Sequence, residues 1–105
     1  MANYVFVYKG GGMATTEAEQ KAAMAAWGQW FGGLGGAVVD PGAPFGPSKS
    51  LATNGSVNDG AGSHLTGYSV IKADTLDAAA SLAKKCPILS NGGSVEIYET
   101  IPIAM

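Results

Sequence analysis

The stretch "NYVFVYK", residues 3–9, decides how this chain folds. It is β-branched and aromatic almost throughout, the composition of a strand. Side chains alternate across a strand, so Val5 and Val7 share one face, and Tyr4, Phe6 and Tyr8 share the other. Both faces are apolar, which predicts a central strand covered on both sides.

Working outward, "GGGMATT" (10–16) breaks the strand. Thr16 followed by Glu19 makes a capping box, so a helix is predicted to begin near Glu17. Met24, Trp27, Phe31 and Leu34 recur at helical spacing as a bulky stripe. Ala25, Gly28, Gly32 and Gly35 form a small-residue stripe beside it. Glycine inside a helix costs about 1 kcal/mol against alanine, so this stripe predicts close packing on a sheet, with contact to a second subunit as the alternative.

"GAVVDPG" (36–42) reads as a short strand ended by Pro41. The loop-rich 44–63 contains Asn54-Gly55, a type I′ turn signal, with Lys49–Thr53 as one arm of a hairpin. "TGYSVIKA" (66–73) is a further strand. Asp74 or Thr75 caps a second helix to about Lys85, with Leu76, Ala79, Ala83 and Cys86 as its apolar face and Pro87 as its stop. In "GSVEIYETIPI" (93–103), Val95, Ile97 and Ile101 face one way, and Glu96, Tyr98 and Thr100 the other.

The order is βαββαβ with an inserted hairpin, an α+β chain of the ferredoxin-like kind. Two helices cover one sheet face. The other is expected to carry Tyr4, Phe6 and Tyr8 with Glu96 and Tyr98. An aromatic face without helices needs a cover, and the simplest is the same face of a second chain, giving a homodimer.

A length of 105 residues fits a single domain, 1–105. Only 13% of residues are charged and the net charge is −2, so nothing basic is available to follow a phosphate backbone, and nucleic acid is excluded as a partner. No apolar run reaches the length of a membrane span and no basic, then apolar, leader opens the chain, so a soluble cytoplasmic protein is expected. Cys86 is the sole cysteine, which leaves no intrachain disulfide and no cysteine metal cluster. With a single histidine and scattered acids, no metal and no cofactor are expected. "YKGGGMATT" (8–16) lacks both G-x-G-x-x-G and G-K-[ST] and reads as a turn, not a phosphate loop.

The candidate chemistry is sparse. His64, with Asp59 five residues upstream, is the candidate general base, against the alternative of a solvated loop histidine. Tyr4, Phe6, Tyr8 and Tyr98, with Glu96 as an orienting polar group, are candidate ligand-binding residues, against a dry dimer interface. Trp27 falls on the bulky stripe and reads as core. Trp30, at its edge, is the better candidate for a pocket or partner contact. Asp40, before Pro41, is either ligand-facing or a turn former. Cys86 lies at a helix C-terminus, a field that disfavours thiolate, and reads as core filling.

Three stretches carry a family likeness: "MAAWGQWFGGLGGAVVD" (24–40), "GYSVIKADTLDAAASLAKKCP" (67–87) and "NGGSVEIYETIPI" (91–103). Together they resemble the YCII-related family, in the branch labelled DGPF-domain or YCII-related domain proteins, over nearly the whole chain. The resemblance implies a dimeric α+β barrel of ferredoxin-like subunits. It includes a dehydrochlorinase acting on a chlorinated hydroquinone, and a proposed site pairing a histidine early in the first helix with an aspartate before a proline. Here helix 17–34 has no histidine, Cys86 precedes Pro87, and "DGAG" (59–62) stands in place of DGPF. Two functions follow as expectations. One is a small-molecule-binding or accessory homodimer, its ligand aromatic or carboxylated. The other is a cofactor-independent enzyme, lyase-like or monooxygenase-like, acting on a small aromatic compound with His64 or Asp59 as base.

Overall fold

The structure, a computed structural model, describes residues 2–11 and 16–103. Its elements are β1 (Ala2–Lys9), α1 (Glu17–Leu34), β2 (Val38–Pro44), β3 (Lys49–Leu51), β4 (Val57–Asp59), β5 (Leu65–Ala73), α2 (Leu76–Ala83) and β6 (Ser94–Glu99). Short 3₁₀ turns follow the two helices at Gly35–Ala37 and Pro87–Asn91. Residues 12–15 of the glycine-rich turn lie outside the described residues.

The chain is α+β: two helices and a four-stranded sheet in the order β2-β5-β1-β6, every neighbour antiparallel, with β3 and β4 as a separate hairpin. β1 is central, as its two apolar faces require. Each helix begins where its cap directs. Thr16 Oγ1 accepts from the Glu19 amide at 3.1 Å, and Thr75 Oγ1 from the Ala78 amide at 3.0 Å. No helix is long and apolar enough to cross a membrane.

The register corrects the expected faces of the sheet. Val5 pairs with Val70 and Tyr98, and Val7 with Tyr68 and Glu96. Glu96 and Tyr98 therefore share the valine face of β1. Tyr4, Phe6 and Tyr8 point instead toward the helices, at 1%, 0% and 5% exposure. The reason is volume. The residues that α2 buries fully are alanines, Ala79 and Ala83, with Leu82 only half-buried beside them, so the sheet must supply most of the bulk beneath it.

α1 adds the rest of the core. Trp30 is buried against Phe6, with ring centroids 6.2 Å apart, and Trp27 meets Tyr8 edge-on at 5.0 Å. Trp30 Nε1 also donates to the Leu82 carbonyl at 3.1 Å and ties α1 to α2. Trp30 is thus a core residue at 7% exposure, with its remaining edge turned to the groove between α1 and α2. Met24 is 75% exposed and lies outside the core. The small-residue stripe does not pack on the sheet: a Cβ at Gly28 or Gly32 would meet nothing within 4 Å.

Two turns also differ from expectation. β2 runs through Pro41 to Pro44, because it is an edge strand whose pairing with β5 is irregular around Asp40 and needs no amide from proline. Gly42 makes this possible, since at φ +76° a Cβ there would fall on the Tyr68 carbonyl. The hairpin turn is not type I′, because only Gly55 has positive φ while Asn54 accepts from the Ser56 amide at 3.0 Å.

Candidate functional site

Opposite the helices, the sheet presents a face that no helix covers among the described residues. Two cross-strand rows form its middle. One runs Asp40, Val70, Val5, Tyr98 and the next runs Ala43, Tyr68, Val7, Glu96. Val5, Val7 and Val70 make a half-buried floor, and Tyr98, at 57% exposure, stands at one edge. Phe45 stacks on Tyr68 at the other edge, centroids 5.8 Å apart.

The polar groups of this face occur as tyrosine–carboxylate pairs. Tyr98 donates its hydroxyl to Glu96 Oε2 at 2.9 Å. That bond, and the nearby negative charge, hold the Tyr98 proton above the usual tyrosine range. Tyr68 donates to Asp40 Oδ2 at a longer 3.5 Å, while Asp40 Oδ1 accepts from the Gly42 amide at 2.8 Å. Asp40 thus does the work of a turn former, bracing the irregular part of β2. Glu96 accepts from the side chain beside it, which leaves most of its lone-pair capacity toward solvent.

His64 and Asp59 lie elsewhere, beside the hairpin. Asp59 Oδ1 is bound to Lys49 Nζ at 2.7 Å across β3 and β4. No side-chain hydrogen bond joins Asp59 to His64 among the described residues. His64 has φ 54°, the one non-glycine with positive φ among those residues, in a turn closed by its amide on the Ala61 carbonyl at 3.2 Å. It lines an open depression of about 620 Å³ with Phe45, Pro47, Ser48 and Leu65.

A second groove, of about 1060 Å³, opens between α1 and α2 over Trp27, Trp30 and Leu82, rimmed by Gln29, Lys85 and Asn91. Inside the core, Cys86 is buried and its thiol is pushed up to about 11 by desolvation, so it is inert as a nucleophile.

The structure therefore brings Glu96, Tyr98 and Asp40 onto one face and sends Tyr4, Phe6, Tyr8 and Trp30 into the core. The sequence reading missed Tyr68, Val70 and Phe45 as parts of that face. The alternation of "TGYSVIKA" was the available signal for the first two, since Tyr68 and Val70 must oppose Ser69 and Ile71. Comparison with family models, curated proteins and solved structures returned no match for this chain.

Proposed function

We propose that the protein is a homodimer whose two helix-free sheet faces meet and hold a small molecule between them, a binding or accessory role in the cytoplasm. The observation that carries this reading is the face itself. A floor of three valines flanked by Tyr68, Phe45 and Tyr98 is an apolar, aromatic surface with no helix over it among the described residues. The strand order, equivalent to 2-3-1-4 when the four main strands are numbered along the chain, supports a ferredoxin-like subunit. The resemblance to YCII-related proteins supports its pairing as a dimeric α+β barrel.

Shape gives further support. The radius of gyration is 15.3 Å, where about 13 Å is usual for a chain this long, and the smallest extent is only 20 Å. A single helix layer on a single sheet layer, with a projecting hairpin, accounts for both. A second chain on the open face adds the missing layer.

The catalytic reading draws less from the geometry, because Lys49 holds the carboxylate that would orient His64. The test is a thermal-shift screen of the purified protein against small aromatic compounds. A dose-dependent rise is expected, since a ligand at a hundred times its Kd stabilises by about 2.7 kcal/mol. A dimer whose midpoint no compound moves would contradict ligand binding at this face and leave a dry interface.

A further inference from the structure

The chemistry of the β1–β6 edge of this face narrows what binds there, an inference that rests on the shared-face reading above. Four side chains form a two-by-two patch: Val5 beside Tyr98, and Val7 beside Glu96. The valines are half-buried and apolar. Tyr98 offers a ring at 57% exposure. Its hydroxyl proton is committed to Glu96, so the phenol oxygen has only acceptor capacity left, as does the carboxylate. Every polar atom the patch offers is therefore an acceptor, and one of them carries a full negative charge.

Balancing cations are few. The chain has six lysines and arginines together, all of them lysine. On the strands beside the patch, Lys72 stands opposite Asn3 and Lys9 opposite Ser94, one at each end of β1. Neither occupies the two middle rows. The other carboxylate of the face, Asp40, lies three strands away on β2, and its acceptors are engaged by Gly42 and Tyr68. An anionic ligand on this patch would face Glu96, and the cations nearest to it, Lys9 and Lys72, stand in the flanking rows and not within the patch. A ligand carrying an ammonium group would find a carboxylate, an aromatic ring for a cation–π contact, and an apolar floor for its hydrocarbon body.

We infer that Val5, Val7, Glu96 and Tyr98 form a binding site for a small organic ammonium, with Glu96 accepting from the charged nitrogen, Tyr98 packing against it and the valines covering the apolar part. The second chain closes the site from above and removes water, which strengthens the charged contact.

The probes are phenethylammonium and 3-phenylpropionate, nearly equal in size and opposite in charge. Each is titrated by calorimetry into the wild-type protein, into Glu96→Gln, and into Glu17→Gln, which removes the same charge from the exposed start of α1. Molecular mass is measured on every sample. The wild type should bind the ammonium about tenfold or more tightly than the carboxylate, the usual worth of a charge-assisted hydrogen bond. Glu96→Gln should lose that preference and Glu17→Gln should keep it. A dimer that binds both probes equally, binds neither, or keeps the preference in Glu96→Gln overturns the inference while leaving the dimer in place. A monomer that binds neither overturns the shared-face reading and this site with it.

Discussion

Tyr8 shows what a single side chain does in this core. Its hydroxyl donates to Ser69 Oγ at 2.7 Å, and Ser69 in turn donates to the Pro41 carbonyl at 2.7 Å. The relay joins β1, β5 and β2 beneath α1, so a buried polar pair is satisfied where a tyrosine is needed for bulk. Burial raises the Tyr8 pKa well above the usual tyrosine value, and the Cys86 thiol is pushed up from 9.0 to about 11. The sign of the linkage follows. In the unfolded chain these groups lose their protons at ordinary values, whereas the folded chain holds them. The stability they contribute is full below pH 9 and is lost as pH rises toward 11. Denaturant unfolding followed between pH 8 and 11 should show a falling midpoint above pH 9, with a shallower fall in Cys86→Ala. An equal slope in the variant would assign the loss to the tyrosines alone. The burial of Cys86 was legible from its place on the alanine face of α2. The burial of Trp30 was not, because its helical position became central only once Met24 was left outside the core. Trp27, Trp30, Phe31 and Leu34 fall within about 100° of one another on a 3.6-residue helix, but Met24, Trp27, Phe31 and Leu34 span a similar arc.

The elements were legible to different degrees, for physical reasons. The two helix starts carry side-chain caps, which act locally, so Thr16 and Thr75 announce them in the sequence. β1 and β5 announce themselves by composition. Which face of β1 meets the helices is a long-range matter. Both faces are apolar, and only the register with β6 and the smallness of α2 decide it. β2 was cut short in the sequence reading because Pro41 looks like a stop, and an edge position with a bulge removes that objection. The glycines of α1 give a test at this scale. Gly28 and Gly32 are exposed, with open space where a Cβ would stand. Gly28→Ala and Gly32→Ala should each stabilise the protein by roughly 0.5–1 kcal/mol in denaturant melts and leave its mass unchanged. Loss of stability or of association would show that the outer face of α1 is packed in the assembly. Thr16→Ala should cost about 1 kcal/mol through the lost cap, read in the same melts.

For the whole molecule, the open sheet face is what one chain leaves unfinished. Valines and aromatic rings that would sit in the middle of a three-layer protein lie at its boundary, and the molecule is correspondingly thin. That an uncovered face exists was legible from two helices against four strands. Its membership was not, so three of the five residues expected there, Tyr4, Phe6 and Tyr8, turned out to be core, while Glu96 and Tyr98 stayed. The proposed dimer would bury Val5, Val7, Val70 and Tyr68 in their place, a set as apolar as the one expected. The most direct test is the mass in solution, by light scattering across the micromolar range, for the wild type and for Val7→Lys, which sets a charge in the middle of the face. A dimer through this face gives twice the 10.6 kDa chain mass for the wild type and a shift toward a single chain mass for a folded Val7→Lys. A wild type that stays at 10.6 kDa throughout, or a Val7→Lys variant that pairs as well as the wild type, would contradict it.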